Sequence, residues 1–247
     1  MPAPRVLLVK LSSLGDVVHN FPAVTDLAGH FPGARIDWAV EEAYAGLVRL
    51  HPAVGAVIPV ALRALRARPL ERARWRNLAA ARRALAQGEW DYVVDTQGLL
   101  KSALVARAAN GPSFGPDRAS ARERLAARFY DVPVAVPRAR HAVERNRAEV
   151  AGVFGYDVRG PARYGLLAPA APPPWAPRQR YCVLLHAASR DAKRWSAARW
   201  VELGQLLAAC GCAAVFPGGS DGERREAARL AAQVPGAMAA PPMALAE

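Results

Sequence analysis

The residues best placed to do chemistry come early in the chain. Ser12-Ser13-Leu14-Gly15-Asp16 is a short polar turn after the apolar run Arg5–Val9 and Lys10. A turn leading from a first parallel strand into a helix, here near Val17, lies at the carboxyl edge of a sheet, where open α/β folds bind ligands. The amino end of such a helix also favours anions. Asp16 is the most chemical residue of the turn. In purely structural terms, an aspartate ahead of an apolar helix is a common N-cap, and Ser-Ser-Leu-Gly is ordinary turn chemistry. Neither G-x-G-x-x-G nor G-x-x-x-x-G-K-[ST] occurs, so the turn is not a nucleotide fingerprint.

A second set lies far along the chain. In His186-Ala-Ala-Ser-Arg-Asp-Ala-Lys-Arg-Trp195, after a strand and before a helix, Ser189, backbone amides and Lys193 suit a diphosphate. The alternative is a solvated basic loop. Pro217-Gly-Gly-Ser-Asp-Gly-Glu223 follows the next strand. Its glycines permit close backbone approach, and Glu223 suits ribose hydroxyls; alternatively this is a plain loop with Asp221 as a helix cap. Arg63, Arg66 and Arg68 cluster in one loop, and Arg122, Arg138 and Arg140 add further cations. Guanidinium groups match anionic sugars bidentately, although a solvated arginine surface accounts for many of these positions. His141, with Glu144 and Arg145 on the following turn, fits a helix face as well as a site.

Parallel α/β layers would position these groups, because short apolar runs alternate with helical stretches. Strands are expected at Val6–Val9, Ile36–Val40, Ala56–Pro59 and Tyr92–Asp95, and helices from near Val17, Arg72, Leu99, Ala119 and Ala142. The polar strand ends Lys10, Glu41-Glu42 and Asp95-Thr96-Gln97 then share one edge. Five prolines between Leu167 and Arg180 exclude helix and central strand. Residues 167–180 therefore read as a linker between domains at 1–166 and 181–247. The second series has strand Tyr181–His186, a helix from about Ala197, strand Ala213–Phe216 and a helix from about Gly222. It is too short to close a Rossmann-like half, so part of the second domain is expected to be missing from this chain.

Composition narrows the class. With 52% hydrophobic residues among 247, a sizeable core is available. No run approaches the roughly 18 apolar residues of a membrane span, and Arg5, Lys10 and Asp16 interrupt any signal-peptide core. Cys182, Cys210 and Cys212 give neither a disulfide framework nor Cys/His metal spacing, which fits a reducing cytosol. The net charge is +12, and only three of the 33 basic residues are lysines. GC-biased coding explains arginine over lysine but not the charge excess. That excess implies an anionic partner: nucleic acid, a phosphorylated substrate or an anionic membrane surface. Interleaved aromatics for nucleic acid are missing, with aromatics at 7%.

Taken together, Lys10–Asp16, Asp37-Trp-Ala-Val-Glu-Glu42, Asp95-Thr-Gln-Gly-Leu-Leu-Lys-Ser-Ala103, His141-Ala-Val-Glu-Arg145 and Arg190–Trp195 make the chain resemble the bacterial lipopolysaccharide heptosyltransferases over essentially its whole length. The first and third blocks are similar to the type I enzymes rather than type II. The resemblance implies a GT-B fold, with two Rossmann-like doubly wound domains, the second incomplete here. It implies inverting transfer of L-glycero-D-manno-heptose from ADP-heptose to the Kdo of Kdo-lipid A. Asp16 would be the general base. Lys193 would offset charge on the departing ADP where other transferases use a metal, so no cofactor or metal is implied. Ser189 would bond the diphosphate and Glu223 the ribose. Ser12, Ser13, Arg63, Arg66, Arg122 and His141 would face the acceptor. The implied location is cytoplasmic, peripheral to the cytoplasmic face of the inner membrane, with no nucleic-acid partner. The family's later Asp-Thr-Gly-Leu-Ser-His donor block is absent from this chain, so weak donor binding and little turnover are expected. Two alternatives are a related nucleotide-sugar transferase with another acceptor, and a basic protein that binds anionic lipid or nucleic acid.

Overall fold

The structure is a computed structural model that describes residues 3–62, 70–167, 171–188 and 191–244, with the Arg74 side chain excepted. The described residues form two compact units that divide at residues 168 and 169. Residues 171–180 of the proline-rich stretch carry neither helix nor strand.

In the first unit, six parallel strands pair in the order β3-β2-β1-β4-β5-β6. They are β1 (Arg5–Val9), β2 (Arg35–Glu41), β3 (Val54–Val60), β4 (Tyr92–Asp95), β5 (Ser113–Pro116) and β6 (Val132–Val134). This is the Rossmann order, in which the winding reverses between β1 and β4 and opens a crevice at their carboxyl ends. Val9 lies opposite Asp95 there. The sequence supports a strand covered on both faces. Val6 and Leu8 enter one core cluster, Leu7 and Val9 the other, and all four are fully buried. A central parallel strand therefore needs a continuous apolar run rather than alternation.

The helices of this unit are α1 (Leu14–Val18), α2 (Phe21–His30), α3 (Ala45–Val48), α4 (Arg72–Gln87), α5 (Leu100–Arg107) and α6 (Ala142–Phe154). Phe21 and Leu27 of α2 and Val150 of α6 pack with Trp38 on one face. Ala81 and Leu85 of α4 and Val105 and Ala106 of α5 cover the other. Truncating an aromatic as deeply buried as Phe21 costs about 3–5 kcal/mol.

Three expectations are corrected. The helix near Val17 is two helices, because Pro22 has no N–H to offer the Val18 carbonyl. The first is only five residues long and internally capped, so its pull on anions is weak. The helix expected from Ala119 is absent. There Asp117 Oδ1 accepts from Ser120 N at 2.7 Å, a local bond that competes with helix formation, and a 3-10 turn follows at Arg124–Phe129. Strands β5 and β6 were not expected.

The second unit has β7 (Tyr181–Val183), α7 (Ala197–Ala209), β8 (Ala213–Phe216), α8 (Asp221–Ala231) and β9 (Met238–Ala239), paired in parallel as β7-β8-β9. β7 ends at Val183, short of the expected His186. Leu184, Phe216 and Leu230 centre its core. Each unit is thus the parallel α/β layer of the GT-B class, the second with three strands. Among the described residues no helix is long and apolar enough to cross a membrane.

Candidate functional site

Beyond β1 the chain leaves the sheet edge with a side chain as its partner. Gln97 Oε1 accepts from Leu11 N at 2.7 Å and Ser12 N at 3.2 Å. Ser13, not Asp16, is the N-cap of α1. Asp16 is its third residue, and its Oδ2 accepts from Ser13 N at 3.1 Å. Arg122 closes over the same carboxylate, with Nη2 donating to Oδ1 at 2.9 Å and Nη1 to Oδ2 at 3.2 Å. The Asp16 side chain is 18% exposed and that of Arg122 46%. Burial pushes the Asp16 carboxyl up, but hydrogen bonds from Arg122 and Ser13 and the charges of Arg122 and Lys10 outweigh it. The group lies below the ordinary aspartate value. The site therefore holds an ionised carboxylate able to take a proton, beneath a guanidinium able to turn to an incoming anion.

A second cation stands beside it. Lys101, on α5, donates from Nζ to Ser12 Oγ at 2.8 Å. Below the turn, buried Lys10 donates to the Thr96 carbonyl and, at 3.1 Å, to Asn146 Oδ1. Asn146 Nδ2 in turn donates to the His19 carbonyl at 3.0 Å. Burial lowers Lys10 to about 8, against the pull of Glu149, Asp16 and Asp95. Burial raises Glu149 to about 8 and raises Asp95 as well. Tyr130 Oη donates to Asp95 Oδ2 at 2.7 Å.

His141 is the N-cap of α6, its Nδ1 accepting from Val143 N at 3.3 Å. Its ring meets His19 edge-on at 5.3 Å, rather than meeting Asp16. Arg138 and Arg145 donate to the carbonyls of Ala121 and Ser120. They fasten the loop that carries Arg122. The structure thus joins Ser13 and Arg122 to the Asp16 carboxylate, while Ser12 in the same turn holds Lys101. Arg63, Arg66 and Arg68 lie outside the described residues, as does Ser189. Lys101 was missed as a site residue. Its polarity inside an otherwise apolar helix start was the available signal.

In the second unit Lys193 is exposed at the end of a 3-10 turn, Asp191–Lys193. Glu223 is engaged locally: its Oε2 accepts from Gly219 N and Ser220 N at 2.9 Å each, and Ser220 Oγ accepts from Glu223 N at 3.3 Å. Ser220, not Asp221, caps α8. Gly218 serves this turn too, since a Cβ there would lie 2.6 Å from Arg224 N. The close approach that the glycine permits is to its own helix. Beside Glu223 lies a cavity of about 410 Å³ lined by His186, Trp195, Trp200, Glu226 and Arg229, among others. His186 Nδ1 and Trp200 Nε1 are buried there without a partner among the described residues.

The comparisons with known proteins agree with this architecture. The profile of glycosyltransferase family 9 (heptosyltransferase) matches residues 78–247. Lipopolysaccharide heptosyltransferase 1 of Pseudomonas aeruginosa is 43% identical over 251 residues, covering 98% of this chain and 68% of that protein. Among solved structures, Escherichia coli heptosyltransferase WaaC with ADP superposes with a TM-score of 0.88 at 38% identity, over 98% of this chain and 76% of that one. Its complex with ADP-2-deoxy-2-fluoro heptose gives 0.87 at the same identity, over 98% and 77%. By sequence and by fold, the chain belongs to glycosyltransferase family 9, the heptosyltransferases.

Proposed function

We propose that this protein transfers L-glycero-D-manno-heptose from ADP-heptose to the Kdo of Kdo-lipid A, with inversion at the anomeric carbon, in the cytoplasm at the inner face of the inner membrane. The observation that carries this is the Asp16–Arg122 contact at the carboxyl end of β1. An acceptor rich in carboxylate and phosphate draws Arg122, Lys101 and His141 to itself. Asp16, freed of the guanidinium, takes the proton of the acceptor hydroxyl. The oxygen then attacks the anomeric carbon, and the bond to the ADP oxygen breaks on the opposite face. Lys193 offsets the charge gathering on ADP, so the step needs no metal. Ser189 bonds the diphosphate. Glu223, whose carboxylate also ties its own turn, offers an oxygen to the ribose. The unpartnered Trp200 Nε1 gives the neighbouring cavity a donor, and His186 Nδ1 gives it an acceptor because the same ring donates through Nε2 to the Glu223 carbonyl; a nucleotide base uses both.

The test is ADP release from ADP-heptose with Kdo-lipid A as acceptor. Heptosylated product from the parent, slow as the absent donor block makes it, and none from Asp16→Asn would support the assignment. Product from both would remove Asp16 from its role. A different acceptor giving faster ADP release would shift the reading to a related transferase.

A further inference from the structure

The solvent side of α4 has no part in the site just described. The helix turns Leu78, Ala81 and Leu85 to the core. On the other side, Arg72, Trp75, Arg76, Arg82 and Arg83 are all exposed. Their spacings of three, four, ten and eleven from Arg72 put them on one stripe along the helix. Trp75 is 54% exposed, and Leu70, two residues before the helix, is 96% exposed. No acidic residue occurs between Arg72 and Gln87.

That combination selects among anionic surfaces. Arginines alone would serve a nucleic acid or a lipid headgroup. An exposed leucine just before the helix and an indole in its first turn add apolar surface that a nucleic-acid backbone does not use. A bilayer interface uses both, with indole and leucine entering the headgroup boundary and arginine stems reaching up to phosphate. The topology places the apolar end suitably. α4 leads to the amino end of β4, so its own amino end, with Leu70 and Trp75, lies toward the carboxyl edge that carries Asp16.

Resting on the inner-membrane location proposed above, we propose that the outward face of α4, with Leu70, is what docks on an anionic phospholipid bilayer. Lipid affinity is a property of this helix face, so vesicle binding and heptose transfer are separable. The test is co-sedimentation of the whole chain with vesicles of phosphatidylglycerol and phosphatidylethanolamine, and with phosphatidylcholine alone. The parent should bind the first and not the second. Arg72→Gln, Arg76→Gln and Arg83→Gln together should lower partition about a hundredfold, roughly fivefold per arginine. These are helix-favouring changes at exposed positions, and unchanged circular dichroism checks the fold. Leu70→Ser should weaken binding in a way that salt does not reproduce. Equal binding by the triple variant, or equal binding to phosphatidylcholine, would overturn the proposal. Transfer to a short water-soluble acceptor should be untouched by the triple change. A parallel loss there would assign these arginines to the acceptor and refute bilayer docking.

Discussion

Arg122 grips both oxygens of Asp16, at 2.9 and 3.2 Å, across 106 residues of sequence. A base held this way stays ionised but not free, which ties proton abstraction to arrival of the acceptor anion. Asp16→Asn should lower kcat about a thousandfold with little change in KM. Arg122→Met should raise the acceptor KM more than tenfold. It should also move the acid limb of the kcat/KM profile to higher pH, because the largest force holding the Asp16 carboxyl down is lost. An unmoved acid limb would mean that another group titrates there.

The buried carboxyl of Glu149 predicts a pH dependence of stability. Its folded value is raised to about 8, above that of an unfolded glutamate. The folded chain therefore retains a proton that the unfolded chain loses. The stabilisation is complete below about pH 4 and fades as pH rises through about 8. Glu149→Gln mimics the protonated form. Urea titrations should find it close to the parent near pH 4 but without the decline that the parent shows from about pH 4 to about pH 8. Parallel curves for the two proteins would contradict a raised value.

Arg147 on α6 and Asp26 on α2 form a two-pronged pair, with Nε to Oδ2 at 2.7 Å and Nη2 to Oδ1 at 3.2 Å. Their side chains are only 6% and 13% exposed, and Arg147 also holds the Arg159 and Gly160 carbonyls. Asp26→Ala leaves that guanidinium buried without its counter-charge and should cost about 3 kcal/mol in urea unfolding. A cost below about 1 kcal/mol would place the pair with ordinary surface bridges.

Lys193→Ala should lower kcat about a hundredfold, the typical effect of removing one donor aimed at developing charge. Binding of ADP itself, followed by calorimetry, should weaken far less. Equal losses in both would make Lys193 a ground-state ligand only.

The sequence made the sheet edge legible better than its contents. Strands β1, β2 and β4 are apolar runs ending in polar residues, so their order of appearance and their shared edge could be read directly. β5 and β6 could not: Ser113-Phe-Gly-Pro116 and Val132-Pro-Val134 are short and carry proline, and only the pairing of β5 with β4 and of β6 with β5 makes them strands. Asp16 was visible as a chemical residue. Its capping by Ser13 and its grip by Arg122 were not, since the second depends on where a distant loop comes to rest. The local tie of Glu223 was legible as well, because Ser-x-x-Glu is a capping signature, and here it is used as one.

The bonds of Lys10 reach Thr96 and Asn146, 86 and 136 residues onward. Contacts of that span are slow to form. During synthesis, the turn bearing Asp16 emerges first and must wait, without its partners, until β4 and then α6 have been made. The earliest chemistry-bearing residues of the chain are therefore among the last to be fixed. A substitution in α6, far from any substrate, can then delay maturation of the enzyme while leaving the finished molecule fully active.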